Sequence, residues 1–139
     1  MIRISLGAWN DVREAATRIR YEVFVEEQRV PLAMELDEFD PQCVHALARD
    51  GDAAAVGTGR LLPDGHIGRM AVLKAWRGQG VGGEILERLV VAARERGDLE
   101  VVLSAQTHAL EFYRRHGFVA EGEIYLDAEI PHQMMRRKL

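Results

Sequence analysis

Four glycines within six residues (Gly78, Gly80, Gly82 and Gly83) separate a short apolar run, Met70 to Leu73, from an amphipathic stretch that opens at Glu84. A tight turn between a strand and a helix needs one or two glycines, so four point beyond turning. They leave backbone N–H groups unshielded by side chains. The helix that follows adds its own unpaired N–H groups and the positive end of its dipole. Together these define a phosphate site, expected to take the pyrophosphate of a nucleotide-like cofactor.

Three phosphate loops have this outline. A Walker-type loop needs Lys-Ser or Lys-Thr after its last glycine, whereas Gly82 is followed by Gly83-Glu84, and an acid there would repel phosphate. Gly78-x-Gly80-x-x-Gly83 has dinucleotide-fingerprint spacing. However, Lys74-Ala75-Trp76-Arg77 intervenes after the strand, and the next strand, Leu99 to Leu103, ends in Ser104 rather than in an acid for a ribose. The third outline fits. Arg77-x-x-Gly80-x-Gly82 resembles the Arg/Gln-x-x-Gly-x-Gly/Ala loop of the GNAT N-acetyltransferase superfamily. Downstream, Gln106-x-x-Ala109-x-x-Phe112-Tyr113-x-x-x-Gly117-Phe118 resembles that family's Asn-x-x-Ala-x-x-x-Tyr-x-x-x-Gly-Phe segment, with Gln106 where Asn is commoner. Arg20 to Gln28, then Glu35-x-Asp37-Glu38-x-Asp40 and His45, and finally Ile130-Pro131-His132-x-Met134-Met135, are similar to the start and end of the ElaA/YjcF-like branch.

The resemblance implies a GNAT-like α/β fold, a single domain over residues 1–139. Its mixed, mostly antiparallel sheet would have splayed central strands flanked by helices. It implies acetyl-CoA as cosubstrate, with direct acetyl transfer to a primary amine of a small molecule or peptide. Arg77, Gly78, Gln79, Gly80, Val81, Gly82 and Gly83 would hold the pyrophosphate. Backbone groups of Met70, Ala71 and Val72 would bond the pantetheine as an added strand does, the Val72 N–H being best placed for a developing oxyanion. Gln106 would bond the pantetheine too. Tyr113, whose phenol titrates near ~10, would protonate the departing sulfur. Glu35, Asp37, Glu38, His45 and His132 flank the expected acceptor cleft as candidate bases, with Glu35 first and His132 second. Domains of this family often pair, and the C-terminal strands offer an edge for a homodimer.

Composition bounds the alternatives. At 139 residues the chain can bury a core without metal or disulfide help, and it holds one cysteine, Cys43, which reads as a packing residue of a reducing cytoplasm. No apolar run approaches a membrane span, and the first residues lack a signal-peptide pattern. A net charge of −4 argues against nucleic-acid binding. The histidines show no metal-site spacing, so no metal is expected. Residues 35 to 40 read Glu-Leu-Asp-Glu-Phe-Asp, either a solvated loop or an attractor for a cationic amine such as a polyamine, aminoglycoside, basic amino acid or lysine-bearing peptide.

Periodicity supplies the elements. Ile2 to Leu6 alternates as a strand. Asn10 or Asp11 can cap a helix, Asp11 with Glu14 forming a capping-box-like pair, and Val12, Ala16, Ile19 and Val23 predict a helix to about Phe24. Residues 31 to 43 read as loop. Val44–Arg49, Ala54–Leu62 and His66–Leu73 read as antiparallel strands. Ile85, Leu86, Leu89, Val90 and Ala93 share a helix face that stops at Gly97, with Glu84 and Arg88 as an i,i+4 pair. A helix from about Thr107 to His116 and strands over Phe118–Leu126 and His132–Arg137 close the chain. Leu103, Leu110 and Phe112 would wall a short acyl group. Two other functions share these features: a CoA-binding sensor or interaction module without chemistry, and an acyltransferase using another acyl-CoA or a protein amine. Amine-dependent turnover separates the first, and an acyl-CoA series the second.

Overall fold

Small residues in the central strands decide how closely the helices dock. The computed structural model describes residues 1–139. It runs β1 (Arg3–Gly7), α1 (Trp9–Arg20), α2 (Leu32–Glu35), β2 (Val44–Arg49), β3 (Ala55–Leu61), β4 (Ile67–Val72), α3 (Val81–Glu95), β5 (Glu100–Gln106), α4 (Leu110–Arg115), β6 (Val119–Asp127) and β7 (Ile130–Lys138). Strands β1-β2-β3-β4 form an antiparallel sheet, and β5-β7-β6 form a second. Side chains alternate across β2: Leu47 joins Val12, Ala16 and Ile19 of α1, while Ala46 and Ala48 join Ile85, Leu86 and Leu89 of α3. The first sheet is thus covered on both faces, and every residue of β3 is buried. A Cβ at Gly57 would lie 2.8 Å from Ile85 Cδ1, and one at Gly59 would lie 3.0 Å from Ile85 Cγ2 and 3.1 Å from Leu89 Cδ1, so glycine sets the approach of α3 to β3.

The two sheets meet at one end only. His66 bridges Val102 in parallel, and Val102 N–H donates to the Gly65 carbonyl at 3.1 Å. Beyond that bridge β4 and β5 belong to separate sheets and diverge, as the GNAT resemblance implies. Strand β4 also carries a bulge: its register against β3 shifts between Thr58 and Arg60, where Arg69 takes φ 48°.

Several local expectations are corrected. Neither Asn10 nor Asp11 caps α1, which starts at Trp9 after Ala8 with no side-chain cap. The Trp9 ring lies 4.8 Å from that of His45 and beneath the Arg20 guanidinium, and this tertiary packing sets the helix start. Helix α1 continues as a π-helical turn, Tyr21–Glu27, past the expected end at Phe24. Residues 31 to 43 hold α2 and a 3-10 turn, Asp40–Gln42, rather than plain loop. Arg88 donates to the Ile4 carbonyl instead of pairing with Glu84. The final helix splits into a 3-10 turn, Thr107–Ala109, and α4.

Candidate active site

The glycine loop presents bare backbone. Gly78 and Gly80 adopt φ 76° and 85°, a left-handed conformation that an L side chain resists, and a Cβ at either would meet nothing within 4 Å. The reason for glycine there is conformation, not space. Gly83 differs, since a Cβ would sit 3.0 Å from His116 Nε2, making it a packing glycine under α4. Helix α3 begins at Val81, and none of the amides of Gly78, Gln79, Gly80, Val81, Gly82 and Gly83 donates to a protein acceptor. Six successive free N–H groups at a helix start form an anion cradle.

The edge of β4 leads from this cradle into the splay. Leu73 N–H donates to the Val56 carbonyl at 2.9 Å, and Thr58 pairs with Ala71, so ladder alternation turns Ala71 toward β3 and Val72 toward the cleft. This narrows the expected set: the backbone groups of Ala71 serve the sheet, and its side chain is buried beneath α1. The Val72 carbonyl accepts from Arg77 Nε at 2.9 Å, leaving the Val72 N–H as the free group. The other end of the Arg77 guanidinium pairs with Glu27 at 2.9 Å, so its side chain braces β4 against the π-turn rather than reaching into the loop. Gln79 likewise braces the loop through the Ala75 carbonyl.

A cleft of about 690 Å³ opens where the strands part, a size suited to a cofactor-sized ligand. Met70, Ala71, Val72, Arg77, Gln106 and Tyr113 line it, as do Glu35 and His132. Tyr113 stands edge-on to Phe112 and Phe118 at 5.0 and 5.9 Å, and its hydroxyl has no protein partner. Burial pushes its pKa from the expected 10 up to about 12. Gln106 donates to Gln28 Oε1 at 2.8 Å and accepts from His108. Gln28, at the end of the π-turn, is a cleft residue that the sequence reading gave no role. The acyl wall is revised as well: Leu103 lines the cleft with Ala109, Tyr113 and Ile130, whereas Leu110 and Phe112 pack on the core.

The acidic run is neither a solvated loop nor a free negative patch. Arg20 binds Glu35 at 2.5 Å and Asp40 at 2.9 Å, Arg60 binds Asp37 at 2.6 Å and Asp40 at 2.8 Å, and Arg69 binds Asp37 at 3.0 Å. Three carboxylates meet three guanidiniums, so the cluster is neutral. For Asp37, burial raises the pKa, but the hydrogen bond and charge of Arg60, the Phe39 N–H and the charge of Arg69 outweigh it and bring it to about 2. Burial likewise opposes Asp40, yet Arg20 and Arg60 hold it below its usual value. The arginines were missed by the sequence reading. Arg60 gave a signal, being a charged residue inside a strand otherwise made of small and apolar residues, which demands counter-charges.

The candidate bases separate. His45 is buried, bonds the Asp40 carbonyl at 2.9 Å, and is held below its usual pKa chiefly by burial; it lies outside the cleft. Glu38 is exposed and also lies outside it. Asp37 and Glu35 line the cleft as members of the ion-pair cluster. His132 Nδ1 meets the Ile130 carbonyl at 2.6 Å, which fixes the proton on Nδ1 and leaves Nε2 an acceptor without a protein partner. Cys43 donates to the Phe39 carbonyl, and burial pushes its thiol up, as befits a packing residue.

A splayed sheet with a glycine cradle at its open end and a tyrosine in the cleft defines an acyl-CoA N-acyltransferase architecture. Residues 11–139 match the family described as acetyltransferase (GNAT) domain, and the chain belongs to that family. It is 44% identical over 123 residues to YjcF of Bacillus subtilis, described as an uncharacterized N-acetyltransferase, covering 85% of this chain and 87% of that protein. Among solved structures, an acyl-CoA N-acyltransferase from Pseudomonas aeruginosa superposes with TM-score 0.87 at 37% identity, covering 99% of each chain. Escherichia coli ElaA superposes with TM-score 0.88 at 28% identity, covering 98% of this chain and 99% of that one. The protein is a GNAT acyltransferase of the ElaA/YjcF-like branch. No helix is long and apolar enough to cross a membrane.

Proposed function

We propose that the protein transfers acetyl from acetyl-CoA directly to a primary amine. The observation that carries this reading is the run of six free amides, Gly78 to Gly83, at the open end of the β4/β5 splay. Bound acetyl-CoA supplies a thioester carbonyl for attack and a thiol leaving group. The loop amides hold the diphosphate, with Arg77 and Gln79 bracing the loop. The Val72 N–H faces the position of the carbonyl oxygen as a hydrogen-bond donor. Met70 and Gln106 flank the pantetheine, for which Gln106 must release Gln28.

Tyr113 keeps its proton at neutral pH, because its pKa of about 12 lies above the ~8.5 of an ordinary thiol. Its role is therefore to donate a hydrogen bond to sulfur as charge develops, rather than to ionise. His132 accepts the amine proton through Nε2, in preference to Glu35, whose Oε1 is taken by Arg20. Leu103, Ala109 and Tyr113 keep the acyl end short, and the exposed Val119, Ile124 and Leu126 on β6 suit pairing of two copies. A thiol-release assay over an amine panel tests the function. Release from acetyl-CoA that depends on an amine is expected. CoA binding with no amine-dependent release would favour a sensor, and faster release from longer acyl-CoAs would replace acetyl as the donor group.

A further inference from the structure

On the acceptor side of the cleft one guanidinium, that of Arg69, keeps a free donor nitrogen. Arg69 sits in the β4 bulge at φ 48°, directly before the Met70–Val72 edge. Its Nε and Nη2 bond the Glu35 carbonyl at 3.3 and 3.1 Å, Nε lies 3.6 Å from Glu35 Oε1, and Nη2 also meets Asp37 Oδ2 at 3.0 Å. Nη1 has no protein acceptor, and 28% of the side chain is exposed in the cleft. The carboxylate that Arg69 shares is already committed, since Asp37 Oδ2 takes the shorter bond, 2.6 Å, from Arg60. Arg60 lines the same cleft, and its Nε is the one buried side-chain polar atom without a partner. A free guanidinium nitrogen, Arg69 Nη1, thus stands at the point where an acceptor substrate would lie beside the thioester-binding edge.

We propose that Arg69 reads an anionic group of the acceptor, and that the acceptor is an amine carrying a carboxylate, as an amino acid does. Resting on the acyltransferase reading, the inference deepens it by naming the substrate class. The Arg20–Arg60–Glu35–Asp37–Asp40 cluster, two guanidiniums against three carboxylates, holds the Arg69 guanidinium against its strand, with Nη1 turned to the cleft. A carboxylate there accepts a charge-assisted hydrogen bond from Nη1. Polyamines offer Nη1 no acceptor group.

Matched pairs test this: leucine against leucinamide, and phenylalanine against phenylalaninamide. Each pair keeps the amine and deletes the carboxylate, and the amide's amine loses its proton more readily, which biases the chemistry against the expected answer. Titration calorimetry is run on the CoA-saturated protein, and on the free protein if CoA does not bind, so the result is independent of turnover. The amino acids are expected to bind about 10- to 100-fold more tightly than their amides. Arg69→Gln should bring that ratio close to one, and Arg69→Lys should retain part of it. Retained CoA affinity and a cooperative melting transition show that the variants fold. Equal binding of acids and amides by the native protein, or a ratio unchanged in Arg69→Gln, would overturn the inference. Failure of CoA binding with the acid preference intact would instead strike the acyltransfer reading and leave this one standing.

Discussion

Replacing Asp37 with Asn removes one charge from the buried cluster while keeping its shape. The folded-state pKa of Asp37 is about 2 against an ordinary 3.8, and its side chain is 20% exposed. At ~1.36 kcal/mol per pKa unit, the carboxylate contributes about 2 kcal/mol of stability at neutral pH. Asparagine also leaves Arg60 and Arg69 facing each other, so the loss runs toward the ~3–5 kcal/mol of a broken buried pair. Because the folded value lies below the unfolded one, the contribution is complete above about pH 4 and is lost as the pH falls toward 2. Urea unfolding at pH 7, 5, 4 and 3 measures this. The variant should be about 2–4 kcal/mol less stable at pH 7, and the gap should narrow steadily below pH 4. Other acids titrate in the same window but do so in both proteins, so the difference isolates Asp37. A gap that stays constant from pH 7 to 3 would mean that packing, not charge, is lost, and the ion-pair account would fail.

Two further substitutions probe the chemistry. Tyr113→Phe should lower kcat by ~10²-fold with CoA affinity within about twofold, and unchanged kcat would remove the phenol from the reaction. His132→Gln should lower kcat/KM by ~10²-fold and flatten the acid limb of its pH profile; a limb that survives would shift the base to Glu35, to be tested as Glu35→Gln.

The cofactor end of this protein was legible because its signals are local. Glycines spaced for a phosphate loop and the Tyr113 segment each lie within about a dozen residues, and backbone chemistry there follows from composition. The acceptor end was not, because Arg20, Arg60 and Arg69 reach the 35–40 acids only through the fold. A run of acids looks the same in sequence whether water or guanidinium surrounds it. Arg77 shows the limit of motif reading from the other side. It occupies the expected position, yet its guanidinium ties Val72 to Glu27, so the loop's anion-binding capacity rests on main-chain amides. The bulge at Arg69 had no sequence signal, since arginine is not a residue that favours positive φ.

Titration calorimetry with acetyl-CoA, on the native protein and on Gly82→Glu, measures what those amides contribute to holding the diphosphate. A Cβ at residue 82 would rest 3.6 Å from Phe112 and 3.8 Å from Val72, ordinary contacts, so the variant adds a negative charge to the cradle without backbone strain. Acetyl-CoA should bind the native protein and bind the variant at least ~10²-fold more weakly at unchanged melting temperature. Equal affinity in the two proteins, or no binding to the native one, would contradict that role of the amides.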